Sequence, residues 1–221
     1  MPDIIAGVGP RIDASAVIGY PSSRNASGQL VLGPDPHVRS GSVLYVGSSI
    51  GARFETGHNV VVREDCRIGD DVSVWSNSVI DYGCLIGDRV KIHANCYIAQ
   101  FTEIGDDAFL APGVTIANDL YPGQKDSAEV MCGPWIGPGA QIGVNVTILP
   151  FVRIGAGSLI GAGSVVARDI PDGCVAFGNP ARVRGDVRQL PAIGGRIDSM
   201  TGSIRRYRWA KPSTNGVGER G

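Results

Sequence analysis

From Leu32 to Ile116, every sixth residue of the chain is hydrophobic or β-branched. Fourteen of these fifteen positions carry Leu, Ile or Val, and the remaining one is Thr56. A period of six is a multiple of the two-residue period of a β-strand and does not match the 3.6 residues of a helical turn. The pattern therefore predicts short strands separated by corners. Glycine follows the hydrophobic residue in every third repeat, at Gly33, Gly51, Gly69, Gly87 and Gly105.

This 18-residue spacing predicts three-sided coils that stack on one another at the interstrand distance of about 4.8 Å. One coil cannot bury its own inner face, so stability has to come from its neighbours. The glycines indicate a corner that needs either a positive φ or a close approach of two backbones. Cys66, Cys84 and Cys96 fall four residues after a repeat residue, where small side chains recur, so we expect buried free thiols.

The repeat is broken twice, and each break predicts an external loop. Ile18 and Ile116 are followed by the next repeat residue after 14 and 20 positions, which places loops at about 20–31 and 117–135. The repeat resumes over 136–166, and Pro171 and Pro180 are expected to end strand addition. We therefore predict an all-β domain over 1–185 and a basic C-terminal extension over 186–221. Its IRRYRW run could bind an acidic partner or a phosphate, or form a solvated tail.

Composition narrows the function further. The chain has 20 basic and 21 acidic residues, so no global charge points to nucleic acid or to an anionic membrane. No apolar run reaches the roughly 20 residues that span a bilayer. The N-terminus lacks the pattern of a signal peptide. Five cysteines without a CxxC pair fit a reducing compartment, so we expect a cytoplasmic protein.

The three histidines do not predict a metal site. His37, His58 and His93 occupy different slots of the six-residue repeat, so their side chains cannot converge as metal ligands do. We expect no metal. As single residues, His58 and His93 remain candidates for a general base, and the alternative for each is an exposed corner residue.

A polar column is a stronger candidate for chemistry. Residues 18 apart share a column, and the column that begins at the root of the second loop contains Asn118, Gln100 and Tyr82, with Asp119 beside it. An ordinary polar corner is the alternative. The break in the repeat directly after Asn118 favours a functional site.

The repeated pattern of Ile, Leu or Val followed by Gly resembles the hexapeptide-repeat acyltransferases, which implies a left-handed parallel β-helix. Over about residues 30–185 the chain is similar to the nucleotide-linked 3-amino-sugar N-acetyltransferases. The segments that carry this likeness are HNVVVRE, IGDRVKIHANCYIAQFTEIGDDAFLAPGVTIANDLYP, GPWIGPGAQIGVNVTILP and GNPAR. The resemblance implies acetyl-CoA as donor, a dTDP- or UDP-linked amino sugar as acceptor, and a homotrimer with active sites between subunits.

Carried over by position, Asn118 and Asp119 match the loop-root pair near the acceptor amine. Gln100 falls where relatives often have an acid, and Tyr82 falls where many have His or Asn. Without that His, we expect binding and orientation to supply most of the rate. Asn118 and Gln100 would hold the amine or the thioester oxygen, and Asp119 would bind the ammonium or take its proton. His93 stays a candidate for the missing base.

For the donor, a thin pantetheine chain suits the small residues of coils 136–166, including Gly143, Ala156 and Ala162. Arg168 and Arg182 resemble the phosphate contacts of the family, and Arg153 is a weaker candidate. Two alternatives to the amino-sugar reaction remain. One is an acyltransferase acting on another small amine or hydroxyl, such as an amino acid, and the other is a β-helix scaffold without activity.

Overall fold

The computed structural model describes residues 3–24 and 28–190 of the chain. These residues form 26 β-strands and two short 3₁₀ helices, Ser127–Glu129 and Val187–Gln189. The strands in chain order are β1 (Asp3–Ala6), β2 (Arg11–Ile12), β3 (Val17–Tyr20), β4 (Gln29–Leu32), β5 (His37–Val38), β6 (Val43–Tyr45), β7 (Ser49–Ile50), β8 (Glu55–Thr56), β9 (Val61–Val62), β10 (Arg67–Ile68), β11 (Ser73–Val74), β12 (Val79–Ile80), β13 (Leu85–Ile86), β14 (Lys91–Ile92), β15 (Tyr97–Ile98), β16 (Glu103–Ile104), β17 (Phe109–Leu110), β18 (Thr115–Ile116), β19 (Trp135–Ile136), β20 (Gln141–Ile142), β21 (Thr147–Ile148), β22 (Arg153–Ile154), β23 (Leu159–Ile160), β24 (Val165–Val166), β25 (Cys174–Gly178) and β26 (Ala181–Asp186).

Successive strands lie on three different faces of a prism. The first face pairs β1, β4, β7, β10, β13, β16, β19 and β22, and the third pairs β3, β6, β9, β12, β15, β18, β21 and β24. The second face holds every third strand from β2 to β23, followed by β25 and β26. Within the uninterrupted coils, each strand residue pairs with the residue 18 positions later, as Arg67 does with Leu85. The fold is the predicted left-handed parallel β-helix.

The interior is filled by the two inward positions of each repeat. All fifteen repeat residues from Leu32 to Ile116 are at most 5% exposed, and Cys66, Cys84 and Cys96 are buried as predicted. These thiols donate hydrogen bonds to backbone carbonyls of the next coil, for example from Cys66 Sγ to the Asp81 oxygen at 3.1 Å. These three thiols therefore hold the backbone of two of the corners from inside the prism.

The corners show why the glycines recur. Positive φ occurs three residues after the repeat residue, at Gly or at Asp and Asn in most coils, including Asp65, Asn77 and Asn95. Asp and Asn accept this conformation more readily than other L-residues. The glycines spaced by 18 stand two residues earlier. A Cβ on Gly69 would lie only 2.8 Å from the carbonyl carbon of Gly87, so close approach is what requires glycine there.

The two breaks differ from their predicted extents. The first connection lies between Tyr20 and Gln29, and it is shorter than 20–31 because Tyr20 and the residues from Gln29 onward belong to strands. The second connection spans 117–134, between β18 and β19, and contains the first 3₁₀ helix. We call it the long loop. The coils pair directly across it, since Glu103 of β16 pairs with Trp135 of β19.

The expectation that Pro171 and Pro180 end strand addition is wrong. β25 follows Pro171 and pairs parallel to β23, and β26 folds back antiparallel onto β25. The proline at 171 precedes the strand, and the one at 180 lies in the hairpin turn, so neither removes a required ladder hydrogen bond. β26 reaches Asp186. The short 3₁₀ helix Val187–Gln189 follows, and residues 191–221 of the basic extension, including IRRYRW, lie outside the described residues. Within the described part of the chain, no helix has the length and apolar character needed to cross a membrane.

Candidate active-site corner

The candidate site lies on the corner where the third face turns into the first. We call this the site corner; it comprises residues 63–66, 81–84 and 99–102 and the root of the long loop. The structure brings two predicted residues into contact here, because Asn118 Nδ2 donates to Gln100 Oε1 at 2.7 Å. A second N–H of the same amide faces Met131 Sδ at 3.4 Å. Among the described residues, no donor is paired with Asn118 Oδ1.

The column is anchored by a carboxylate that the sequence did not single out. Asp81 is 7% exposed and directly follows β12. Its Oδ2 accepts hydrogen bonds from Gln100 Nε2 at 2.6 Å and from the Tyr97 hydroxyl at 2.8 Å. Its Oδ1 accepts the backbone N–H of Tyr82 at 2.8 Å. The resemblance places an acid at the position of Gln100. In this chain the carboxylate is that of Asp81, which lies in the preceding coil, one residue before the position that stacks on Gln100.

Tyr82 occupies the predicted column but does not continue its chain of side-chain hydrogen bonds. Its ring meets the ring of Phe101 edge-on at 5.4 Å between centroids. The guanidinium of Arg24 lies 3.9 Å from the centre of the Tyr82 ring. Gln100 reaches past this ring to Asp81. Tyr82 therefore contributes packing contacts at the site corner and no side-chain hydrogen bond to the column.

One coil further back, the same column ends in a buried ion pair. Glu64 is fully buried, and Arg63 binds it through two hydrogen bonds of 2.8 and 3.0 Å. Arg63 also lies 3.8 Å from Asp81. Burial opposes ionisation of Glu64, but hydrogen bonds from Arg63, from the backbone and from Ser22 outweigh it and hold the pKa of the carboxyl below its usual range. Extending the 18-residue column by one coil would have found Glu64.

Tyr97 joins this polar group from the third face. Burial, followed by its hydrogen bond to the Asp81 carboxylate, raises the pKa of Tyr97 to about 12. The phenol therefore stays a hydrogen-bond donor throughout the physiological range. The ring remains 37% exposed, so Tyr97 also borders the outer surface of the corner.

Asp119 lies beside the column but serves the long loop. Its Oδ1 accepts the backbone N–H of Tyr121 at 2.7 Å, an arrangement typical of an Asx turn. The loop closes at its base where the Cys132 N–H donates to the Asn118 carbonyl at 2.9 Å. Asn118 thus forms both the end of the polar column and the neck of the loop.

The structure does not bring His93 to the column within one chain. His93 follows β14 on the second face, and it lies on the corner between the second and third faces. The ring is half-buried and packs against Phe109, with 4.8 Å between ring centroids. Two residues in neighbouring six-residue repeats do not share a corner, because each repeat turns the chain onto the next face.

The residues predicted for the donor also lie on separate corners. Gly143 and Ala162 follow second-face strands and stack on one corner, where a Cβ on the glycine would lie 2.6 Å from the Ala162 nitrogen. Ala156 follows β22 on the first face and lies on the corner between the first and second faces. Arg168 follows β24 of the third face, and Arg182 lies in β26, both exposed. A single chain does not assemble these five residues, and their role in binding stays a prediction.

A cleft adjoins the base of the long loop. It has a volume of about 190 Å³ and is lined by Phe101, Glu103, Cys132, Trp135, Phe151 and Arg153. Arg153 lies over the Trp135 ring at 4.4 Å. A larger groove of about 590 Å³ runs along the first face over Gly69, Gly87 and Gly105 and contains no residue of the polar column. The cleft contains no residue of the polar column either. We place the candidate site at the end of the column, where Asn118 and Gln100 meet the root of the long loop, with the cleft beside it.

The other two histidines are exposed to different degrees on other parts of the prism. His58 is exposed, with its Nδ1 2.7 Å from Ser40 Oγ, and His37 Nδ1 lies 3.8 Å from Glu55. In residues 3–24 and 28–190, no group of three His, Cys, Asp or Glu side chains is placed to hold a metal ion.

The repeats match a known family. The family described as bacterial transferase hexapeptide (six repeats) matches residues 47–81, 83–118 and 133–168. Over these three segments the chain is similar to that family, and the proteins similar to it include acetyltransferases. The matched segments coincide with uninterrupted coils and leave out most of the long loop.

Two curated relatives cover a third of the chain each. A galactoside O-acetyltransferase of Lactococcus lactis is 43% identical over 77 residues, which cover 33% of this chain and 37% of the relative. A dTDP-3-amino-3,6-dideoxy-alpha-D-galactopyranose 3-N-acetyltransferase of Aneurinibacillus thermoaerophilus is 45% identical over 74 residues, covering 33% and 38%. The chain thus spans less than two-fifths of the length of either relative.

Among solved structures, a UDP-N-acetylglucosamine acyltransferase from Campylobacter jejuni superposes with a TM-score of 0.59. The two are 21% identical, and the match covers 86% of this chain and 78% of that one. At this identity the likeness shows the shared fold.

Proposed function

We propose that this protein transfers an acetyl group from acetyl-CoA to the amino group of a dTDP- or UDP-linked amino sugar. The observation that carries the proposal is the Asp81–Gln100–Asn118 chain of hydrogen bonds, which ends at the neck of the long loop. The relative that acts on a dTDP-linked amino sugar, by its name, supports the substrate class.

The reaction needs an acceptor nitrogen that is held and a thioester carbon that it can reach. A neutral amine attacks the thioester carbonyl, the C–S bond breaks as the tetrahedral adduct collapses, and coenzyme A leaves as the thiol. The amine loses one proton in the process. Positioning of the two reactants can supply a large part of the rate, because it removes the entropic cost of bringing them together.

Asn118 is suited to the nitrogen side of this reaction. Its N–H groups are turned toward Gln100 and Met131, so its carbonyl oxygen is the group left for substrate. An oxygen acceptor binds an N–H of the amine and cannot stabilise the thioester oxygen, which needs a donor. Of the two roles expected for Asn118, the contacts favour holding the amine. Asp119 Oδ2, which no donor among the described residues occupies, would bind the ammonium form or take its proton.

The remaining parts of the proposal concern the assembly. We propose a homotrimer whose sites lie between subunits, so that donor residues on one corner, such as Gly143 and Ala162, can face the site corner of a neighbour. Arg168 and Arg182 would bind the phosphates of acetyl-CoA as exposed cations. We further propose that the protein works in the cytoplasm, where acetyl-CoA is available.

A thiol-release assay with acetyl-CoA and a panel of acceptors tests this function. The panel contains dTDP- and UDP-linked amino sugars, their hydroxyl counterparts, galactosides and free amino acids. Thiol release with an amino sugar, together with an acetamido product identified by mass spectrometry, is the expected result. Thiol release only with a galactoside or an amino acid would show that the acceptor is of that class. If the protein binds acetyl-CoA but releases no thiol with any acceptor of the panel, a scaffold is favoured.

A further inference from the structure

The hydrogen-bond donors around Asp81 leave one arrangement for the side chains of the site. The backbone N–H of Tyr82 can only donate, and it faces Asp81 Oδ1 at 2.8 Å. The other carboxylate oxygen receives the Tyr97 hydroxyl and the Gln100 amide at 2.8 and 2.6 Å. A carboxylate accepts hydrogen bonds and has none to give. Gln100 must therefore turn its NH₂ group toward Asp81.

This orientation is passed on to Asn118. With its nitrogen committed to Asp81, Gln100 presents Oε1 to Asn118, whose nitrogen lies 2.7 Å away. Asn118 then keeps Nδ2 inward and Oδ1 outward. The oxygen and nitrogen of a side-chain amide have nearly the same shape, so packing alone does not distinguish the two orientations. The carboxylate at the buried end decides between them.

We propose that Asp81 is a positioning residue that sets the donor and acceptor ends of both amides, so that Asn118 presents an oxygen to the acceptor amine. The inference rests on the proposed function for the identity of the substrate. Asp81 is itself only 7% exposed, and both of its carboxylate oxygens accept hydrogen bonds from protein groups. Its effect on the reaction passes through two neutral side chains.

The variant Asp81→Asn reverses the chain with almost no change of shape. The Tyr82 N–H still requires an acceptor, so the new amide keeps its oxygen there and turns its NH₂ group toward Gln100 and Tyr97. The Tyr97 hydroxyl can accept. Gln100 then turns its oxygen toward position 81 and its nitrogen toward Asn118, which presents an N–H to the substrate. We expect kcat/KM for the amino sugar to fall about 100-fold, as when one placed hydrogen bond of a site is lost, with the KM for acetyl-CoA unchanged.

A second change restores the original orientation. In the double variant Asp81→Asn, Gln100→Glu, the new amide donates to one oxygen of the new carboxylate, and the other oxygen accepts Asn118 Nδ2. Asn118 again presents Oδ1, and the net charge of the site is kept. We expect kcat/KM to return to within about tenfold of the unmodified protein. Gln100→Glu alone sets two carboxylates against each other and should be inactive.

Asp107→Asn is the matched control, because Asp107 is an exposed carboxylate paired with Arg89 on a different corner. We expect its activity to equal that of the unmodified protein. A folded Asp81→Asn variant with full activity would overturn the proposal. A double variant that folds, binds acetyl-CoA and is no more active than Asp81→Asn would also overturn it.

A measurement that needs neither turnover nor a variant keeps the two proposals separable. In the unmodified protein, the two side-chain N–H groups of Asn118 face Gln100 and Met131. The exchange of these two hydrogens with solvent, followed by ¹⁵N NMR, should therefore be at least about tenfold slower than that of an exposed Asn. Fast exchange of both would overturn the inference even if the enzyme acetylates amino sugars. Slow exchange without any acetylation would sustain the inference about orientation and reject the proposed function.

Discussion

At the scale of single residues, the site depends on groups that share a corner and not on groups that share a sequence motif. Gln100 and Asn118 could be predicted as neighbours because they are 18 residues apart. Asp81 could not, since the 18-residue column from Gln100 leads to Tyr82, and the amide reaches diagonally past that ring. His93 was a candidate because of its local sequence, and the structure places it on another corner. A column predicts the stacking of backbones but not the reach of a long side chain.

Asn118 gives the sharpest prediction at this scale. Asn118→Ala removes the oxygen proposed to hold the amine, and we expect kcat with an amino sugar to fall at least about 100-fold. Binding of acetyl-CoA, measured by calorimetry, should be unchanged. Gln124→Ala, an exposed change in the same loop, is the control and should retain full turnover. Unchanged turnover of Asn118→Ala would remove Asn118 from the site.

Tyr97 gives a prediction about pH. The pKa of Tyr97 is raised to about 12 in the folded protein, from an ordinary value of 10. A group with a raised pKa stabilises the fold fully below the pKa of the unfolded state, and this contribution is lost as the pH rises from about 10 through 12. Ultraviolet titration should show one tyrosine that ionises near pH 12 and is missing from Tyr97→Phe. Identical titrations of the two proteins would contradict the assignment.

At the scale of elements, the repeat predicted the three faces and the buried ladders with little error. Two features escaped it. The strands β25 and β26 carry no six-residue pattern, because they close the end of the prism as a hairpin. The strand β4 begins before the register resumes at Leu32, so the first loop was predicted too long. Ends of a solenoid are stabilised by different contacts from its middle, and periodicity does not describe them.

The glycine ladder allows a test of the close-approach argument. At Gly69 a Cβ would lie 2.8 Å from the backbone of Gly87, so Gly69→Ala should lower the free energy of unfolding by about 1–3 kcal/mol, as overpacking does. Gly185→Ala is the control, because a Cβ there meets nothing within 4 Å. Its effect should stay within about 0.5 kcal/mol. Urea unfolding followed by circular dichroism measures both, and equal effects would contradict the argument.

The long loop should be separable from the fold. Coils on its two sides pair directly, as Thr115 does with Thr147. Replacing residues 120–130 with a short Gly-Ser linker should therefore leave the melting temperature within a few degrees, since few buried contacts are lost. Acetyl transfer should fall below detection, because we propose that this loop, which begins at Asn118, borders the bound acceptor. A loop variant that still turns over amino sugars would place the site elsewhere.

At the scale of the whole molecule, one prism offers only part of the proposed site. The polar column is on the site corner, whereas Gly143, Ala156 and Ala162 lie on the other two corners. Large hydrophobic side chains remain exposed beside the column, with Phe101 at 40% and Phe151 at 50%. Exposed aromatic residues next to a cleft are typical of surfaces that associate. A site shared between copies of this chain accounts for both observations.

Native mass spectrometry tests that association. The full chain has a mass of 23.1 kDa, and a trimer would have three times this value. We expect the trimer to be the main species at micromolar concentration and to be lost in Phe151→Arg, which places a charge in the proposed contact. Phe177→Arg, an equally exposed aromatic position in the closing hairpin, is the control. A monomer that acetylates amino sugars at full rate would reject the shared site.

The central claim is that the site corner holds an amine for acetyl transfer. The most direct measurement is the rate of coenzyme A release by the unmodified protein with a nucleotide-linked amino sugar and, in parallel, with the same sugar carrying a hydroxyl in place of the amine. We predict rapid release with the amino sugar, an acetamido product, and a loss of this rate in Asn118→Ala. Equal release with the hydroxyl sugar, or an amino-sugar rate that survives Asn118→Ala, would contradict it.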